Sequence, residues 1–535
     1  WVAERLLDAS GAANLSGAPW MIYLARALGA SIGRGVDLHT IPPVTGLLTV
    51  GDGASVEPEV DLTGHWIDGD IFHVGPISIG TDATIGARTT LFPGATVGKN
   101  ADVAPGSGVV GKVKNGQYWK GSPAAKSGKA RHPWPDERPG RAPLWVGIYS
   151  VTSMLLGALP LTALAVGLAV LAWAVRGTAS PTDALVPALA WTPVAALVAF
   201  GTYAALTVLG VRLLSLGLTE GYHPVRSRVG WQLWATERLM DAARNYLFPV
   251  YASLLTPWWL RLLGAKVGKG TEISTALLTP KFTEVQDGAF LADDTMVASY
   301  ELGGGWIHVA KATIGKRAFL GNSGITQPGR RVPDDGLVAV LSAAPHKAKA
   351  GSSWLGSPPI RLRRQPTAAD ALRTFNPSTE LKIMRSVVET CRLIPVIVTF
   401  LIGVAVLGAL HALAGEIGYG WTADLPALAG DFAPADYDRL TAGLGVAGAL
   451  HMETGVDEAD WRAEARLVAA LPDPRLLGQV AVVGPDRVRL LGLHADQHVQ
   501  LVVGAVEAVG DAGAIALATA FVVPAIACAY DGAVN

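Results

Sequence analysis

In "VGPISIGTDATIGARTTLFPGATVGKNADVAPGSGVVGK", which starts at Val74, an aliphatic residue returns every six positions: Ile79, Ile85, Leu91, Val97, Val103 and Val109. Neither a helix nor an ordinary strand has that period. A six-residue repeat is the mark of a parallel β-helix. Each short strand presents one aliphatic residue inward, and three strands with three corners close one coil. Small residues fall four positions after the aliphatic one, at Ala83, Thr89, Ala95, Ala101 and Ser107. Glycine, Asp and Asn crowd the corners, where the chain must turn tightly. No coil buries its aliphatic residues alone, so the coils must stack.

The same elements recur 235 residues later. "LGASIGRGV" at Leu28 matches "LGAKVGKGT" at Leu263, and His73 falls on His308, Ile79 on Ile314 and Trp119 on Trp354 without a gap. This predicts two left-handed parallel β-helix domains, over residues 20–127 and 255–362, in a mixed β and transmembrane α fold. The second keeps the beat only at Leu320, Thr326, Val332 and Val338.

Apolar stretches alternate with these repeats. No charged residue lies between Arg141 and Arg176, Asp183 and Arg212, or Arg392 and Glu416. Each gap exceeds the roughly 20 apolar residues that cross a bilayer core. A fourth gap, Asp511 to Asp531, is shorter. The chain is 50% hydrophobic and 16% charged, too apolar for an ordinary soluble enzyme. A net charge of −1 gives no reason to expect a nucleic-acid partner. Cys391 and Cys528 both lie in apolar runs, so no disulfide framework is expected.

The resulting order is an interfacial helix (1–19), β-helix one (20–127), a basic linker (128–142), a transmembrane hairpin (143–218), interfacial or amphipathic helices (219–254), β-helix two (255–362), a second linker (363–391), a span (392–416), a tail of uncertain fold (417–510) and a candidate fourth span (511–531). Trp1 is not Met and "WVAERLLDAS" is no signal peptide, so the sequence reads as part of something longer. Lys112, Lys114, Lys120, Lys126, Lys129 and Arg131 precede the first span, and Arg361, Arg363, Arg364 and Lys382 precede the third. This bias places both β-helices on the cytoplasmic side of a membrane.

Amide formation needs a base for the attacking amine, and His is the usual one near neutral pH. His73 ("GDIFHVGP") and His308 ("GGWIHVAK") recur at the duplication spacing. His65 has Asp68 and Asp70 nearby, and its counterpart is Tyr300 with Glu301 beside it. The catalytic candidates are therefore His65, His73, His308, Asp68, Asp70 and Glu301, with the first copy favoured for the base. His73 and His308 also read as core residues of a coil, and His65 as a surface loop residue flanked by Asp. Asn322 and Ser323 sit at a corner that either orients substrate or serves the backbone. No metal site is expected, because His451, His494 and His498 are too scattered.

Beyond the repeats, "YWKGSPAAK" at Tyr118–Lys126 resembles the closing segment of hexapeptide acyltransferases. The segments "HPVRSRVGWQLWATERLMDAARNYLFPVYASLLTPWWLRLLGAKVG", "DGAFLADDTMVASYELGGGW" and "SAAPHKAKAGSSWLGSPP" resemble the carboxy-terminal half of the Pls/PosA-type non-ribosomal peptide synthetases, the poly-lysine-synthetase-like enzymes. The likeness covers roughly residues 1–415. It implies a membrane-embedded aminoacyl- or peptidyl-transfer part that joins amino acids into a homopolymer. It also implies a phosphopantetheine thioester carried by an aminoacyl carrier domain in trans or upstream, with no cofactor held in this chain. Trp119, Ser122, Trp354 and Ser357 are candidate contacts for that arm. The partners expected are the carrier domain, the amino-acid or peptidyl substrate and membrane lipids. Two other readings stand beside it: a membrane-bound acyltransferase using acyl-CoA, and a non-catalytic scaffold for carrier domains. After about Gly420 the likeness ends. "DYDRLTAGLGVAGALHMETGVDEADWRAEARLVAAL" faintly resembles a strand–helix piece of a metal-dependent amidohydrolase barrel, but it lacks that family's His-x-His pair and reads as an unrelated tail.

The charge bias makes one expectation measurable. Single cysteines at positions 114 and 349, in a chain with Cys391 and Cys528 replaced by Ser, should escape an impermeant maleimide in intact cells and react after lysis. Labelling of both from outside contradicts the orientation.

Overall fold

The computed structural model describes residues 4, 5, 7, 16–140, 143–178, 181–363, 377–416, 449–454, 476–483 and 487–493. Residues 1–410 form one compact unit and residues 411–535 a second.

In the first unit the six-residue beat becomes a stack of coils with three parallel sheets. Strand partners are eighteen residues apart: Ile79 with Val97, Ile85 with Val103, and Leu91 with Val109. These side chains are at most 3% exposed and form one continuous aliphatic column. The corners take the left-handed backbone even without glycine, as at Asp82 (φ 53°), Arg88 (56°) and Asn100 (51°). Helix α1 (Met21–Ala27) caps the column with Met21 and Ala25.

The second stack repeats the pairing registers at the duplication spacing. Val50 pairs with Ile79 and Val285 with Ile314; Val103 pairs with Trp119 and Val338 with Trp354. Its column runs through Val285, Leu291, Val297, Ile314, Leu320, Val332 and Val338. The irregular beat therefore still builds a parallel coil. In each copy a hairpin projects between two coils: His65–Asp68 with Ile71–Val74, and Tyr300–Gly303 with Trp306–Val309.

Among the described residues, three helices are long and apolar enough to cross a membrane: Leu144–Ala174, Asp183–Leu214 and Thr379–Leu410. Helices α2 (Leu144–Ala174) and α3 (Pro181–Leu214) pack as a pair. A Cβ at Gly167 would lie 2.9 Å from the Ala195 carbonyl, so only glycine permits this approach. None of the third span's apolar window is covered by protein. Helix α4 (Arg228–Tyr246) starts at Ser227, whose hydroxyl accepts from the Gly230 N–H. It buries Leu233, Trp234, Ala235, Leu239, Met240 and Ala243, so it packs as a core helix and not as a free interfacial one. Helix α5 (Thr256–Leu263) leads into the second stack and ends at Gly264 with φ 110°.

Linker residues 134–139 are not a loose tether. Arg138 donates to Asp82 and to the Gly35 carbonyl, and the Trp306 indole donates to the Glu137 carbonyl. A Cβ at Gly303 would overlap the Trp134 ring, so glycine leaves room for the strap.

In the second unit, Ala449–Thr454 runs parallel to Leu476–Val483, which pairs antiparallel with Arg487–Leu493. The candidate fourth span, Cys528, His494 and His498 lie outside the described residues.

Ile85 is fully buried in the first column. Ile85→Ala should cost about 2–5 kcal/mol, the price of a core cavity. It should lower the thermal midpoint in detergent, whereas Asp70→Ala on the exposed hairpin tip should not.

Candidate functional site

Two β-helices with outward-facing corners meet along a seam. Among the described residues, polar contacts join three residue pairs across it. Arg88, on its left-handed corner, donates to the Asp294 carbonyl at 2.7 Å and pairs with the Asp294 carboxylate at 2.9 Å. Asp294 is itself a left-handed corner (φ 53°). Ser357 donates to the Pro105 carbonyl at 2.9 Å. Glu57 accepts from the Ala87 N–H at 2.8 Å within the first stack and from the Leu302 N–H at 2.9 Å in the second. Ala87, Met296 and Ile325 form a small apolar cluster beside these contacts.

The strand Tyr300–Gly303 runs along this seam. Strand side chains alternate between faces, so Tyr300 and Leu302 share one face and Glu301 the other.

The first face closes a cavity of about 230 Å³, lined among others by His39, Glu57, Glu237, Arg238, Asp241 and Tyr300. His39 and Glu57 each follow an inward strand. Leu38 pairs with Val56, so His39 and Glu57 occupy the same corner of successive coils. Helix α4 supplies the opposite wall. The Tyr300 hydroxyl donates to Glu237 at 2.5 Å, Arg238 donates to Glu237 and pairs with Asp241, both at 2.8 Å, and Arg244 pairs with Asp241.

Burial sets the charge states here. It pushes the Glu57 carboxyl up to about 8, with Glu301 adding repulsion and the two backbone N–H donors opposing. It drives His39 down to about 3, helped by Arg226 and Arg238, so the ring is neutral. Burial and the adjacent Glu237 carboxylate raise the Tyr300 hydroxyl well above its ordinary range. Burial works against the charge on Arg238, but Asp241 and Glu237 outweigh it and hold the guanidinium. His39 Nε2 has no hydrogen-bond partner among the described residues.

The second face carries a His–carboxylate pair. Glu301 and His308 lie directly opposite on the hairpin, and His308 Nδ1 meets Glu301 Oε1 at 2.9 Å. Tyr222, from the neighbouring strand Gly221–Pro224, stacks on the His308 ring at 4.5 Å. The His308 and Glu301 side chains are 24% and 33% exposed, so the pair is reachable. Arg330 of the second stack and Tyr118 of the first both lie close enough to feel the Glu301 charge.

The first copy lacks this pair. Trp66 occupies the position of Glu301 and faces His73. His73 Nε2 is buried with no partner among the described residues. His65 contacts Glu4 at 3.6 Å and the Thr63 carbonyl at 3.3 Å. Asp68 and Asp70 are exposed and make no side-chain hydrogen bond or ion pair among the described residues. The expected grouping of His65, His73, Asp68 and Asp70 into one site therefore does not form: a hairpin tip points its carboxylates at solvent. Trp119 and Trp354 donate to their own neighbours, Gln117 and Ser352, and Ser357 is engaged by the seam. Ser122 packs beside Gly108. Ser323 donates to Asp294, so that corner also serves the seam. Among the described residues no group of three His, Cys, Asp or Glu is placed to hold a metal.

The cavity cluster was absent from the sequence-based candidates, yet it left a signal. "WVAERLLDA" at Trp1 recurs as "WATERLMDA" at Trp234, which aligns Glu4, Arg5 and Asp8 with Glu237, Arg238 and Asp241. Its spacing is 233 residues, not 235, which hides it from a gapless search.

No family model matches the chain. Delta-poly-L-ornithine synthetase of Acinetobacter baumannii (strain AB307-0294) is 29% identical over 418 residues, 74% of this chain. Over that stretch the chain is similar to a poly-ornithine synthetase. It spans 31% of that relative's length. Among solved structures, a maltose O-acetyltransferase from Clostridium difficile 630 aligns with 19% of this chain and 60% of its own (21% identity, TM-score 0.18). A hexapeptide-repeat acetyltransferase from Vibrio cholerae O1 biovar eltor, complexed with acetyl coenzyme A, aligns with 24% of this chain and 88% of its own (19% identity, TM-score 0.21).

Glu57 makes the seam sensitive to pH. Its native value of about 8 lies above its ordinary 4.5, so the native state holds the proton more tightly than the unfolded chain. Its contribution is intact below 4.5, is lost as pH rises towards 8 and then levels off. Thermal midpoints should fall across that window, and Glu57→Gln should flatten the fall while lowering the midpoint at pH 4.5.

Proposed function

We propose that this chain is the membrane-embedded, amide-forming part of a non-ribosomal homo-poly(amino acid) synthetase, with His308 as its general base and Glu301 orienting it. The observation that carries this reading is the 2.9 Å His308–Glu301 contact at the seam of the duplicated β-helices. The relation to a poly-ornithine synthetase supports the reaction class.

The chemistry needs little else. An amine attacks the carbonyl carbon of an aminoacyl thioester presented by a carrier domain. The new C–N bond forms as the C–S bond breaks. His308 Nε2 takes the amine proton and returns it to the departing thiolate sulfur. Glu301, bound to Nδ1, fixes the tautomer and stabilises the transient imidazolium. Tyr222 holds the ring plane by stacking. The phosphopantetheine arm belongs to the carrier, and this chain supplies the base and its orienting carboxylate. The three apolar helices anchor that pair at a membrane, with the β-helices on the cytoplasmic face.

Transfer from an aminoacyl-pantetheine thioester to an amine tests this. His308→Ala should lower the rate by about 10²–10⁴, the usual contribution of a general base. Glu301→Gln should lower it less, and His73→Ala should stay near the parent rate. A rate lost in His73→Ala and kept in His308→Ala returns the base to the first copy. A rate supported by acyl-CoA alone favours the acyltransferase reading.

A further inference from the structure

The two hairpins have the same registers and opposite surroundings. Ile67 pairs with Phe72 as Leu302 pairs with Ile307. In the second copy Leu302, Ile307 and Val309 are 0%, 2% and 0% exposed; their counterparts Ile67, Phe72 and Val74 are 71%, 60% and 49% exposed. These positions are apolar in both copies, but only one copy buries them.

The covering group in the second copy is visible. Strand Gly221–Pro224 pairs antiparallel along the outer edge of Trp306–Val309. Leu218, Val225 and Leu233 then close over the apolar face. Among the described residues nothing pairs with the outer edge of Ile71–Val74.

The repeated motif locates the missing cover. Glu4 faces His65 as Glu237 faces Tyr300, and His65 and Tyr300 are equivalent. The residues after Trp1 thus correspond to those after Trp234 in α4. By the same spacing, the counterparts of Leu218–Leu233 fall ahead of Trp1.

We infer that the Ile71–Val74 edge and the Ile67–Phe72–Val74 face are a docking surface for a strand–helix segment encoded ahead of Trp1, built like Leu218–Leu233. Pairing satisfies the open N–H and C=O groups of the edge, and the apolar residues of the segment close the face. Docking also encloses Glu4 and His65, as α4 and its preceding strand enclose Glu237 and Tyr300. An apolar patch of this kind is otherwise a standing invitation to aggregation. The surface is separate from the His308–Glu301 pair, and its existence does not depend on the proposed chemistry.

Hydrogen exchange read by mass spectrometry tests this. The chain starting at Trp1 is compared with the same polypeptide extended upstream in its reading frame past the counterpart of Leu218, both in detergent. The amides of Ile71–Val74 should exchange as an open edge in the first and at least about tenfold more slowly in the second. Phe72→Asp in the extended chain should restore fast exchange there and leave the Ile79 and Val97 amides protected, which shows the stack is still folded. Equal exchange in the two chains overturns the inference. So does protection of the Trp1 chain by lipid bilayers alone, or with rising protein concentration, which assign the surface to a membrane or a second copy. A reading frame with no such segment overturns it as well.

Discussion

One carboxylate ties the two halves of this molecule together. Glu57 accepts one N–H from its own stack and one from the strand that carries both Tyr300 and Glu301. Leaving a buried N–H unpaired costs about 1–3 kcal/mol, so loss of Glu57 would strand one donor in its own stack and one across the seam. Arg88–Asp294 and Ser357–Pro105 hold the same boundary, but neither touches the strand of the His–carboxylate pair. The His308–Glu301 pair therefore shares its strand with a backbone contact made at that strand's outer edge. The cost is a carboxyl held in a place where it resists ionisation.

Duplication explains how such a seam arises. Each stack buries its aliphatic column without help from the other, so the outer corners are free to diverge. His39 and Glu57 sit on consecutive coils of the first stack; their counterparts in the second are Ser274 and Ala292. Glu301 in the second stack replaces Trp66 of the first. The two copies carry different polar residues at equivalent positions, and the cavity cluster forms where they meet. The hairpins diverged in the same manner. One became the covered wall of the seam, and the other kept an apolar face.

The β-helices were legible in the sequence because an aliphatic residue every six positions is a local signal with one structural solution. The gapless 235-residue spacing carried the second stack despite its irregular beat, and the uncharged gaps carried the three helices. The seam was not legible. Its contacts join residues more than 200 positions apart, such as Arg88 to Asp294 and Glu57 to Leu302, and no periodicity records them. Proximity in sequence also misled: Asp68 and Asp70 stand beside His65 on paper but point to solvent from a hairpin tip. Glu301 and His308 are seven residues apart and meet only because a hairpin sets them opposite each other. The Glu237–Arg238–Asp241 group was written twice, but a two-residue difference in spacing concealed it.

If the seam positions the His308–Glu301 pair through Glu57, a double-mutant cycle on the rate of amide formation will reveal the coupling, using Glu57→Ala, His308→Ala and the two combined. If Glu57 acts by holding the strand, its loss should slow the parent and have almost no further effect once His308 is gone. Additive losses, or a Glu57→Ala variant that folds and retains the parent rate, would show that Glu57 does not position the pair.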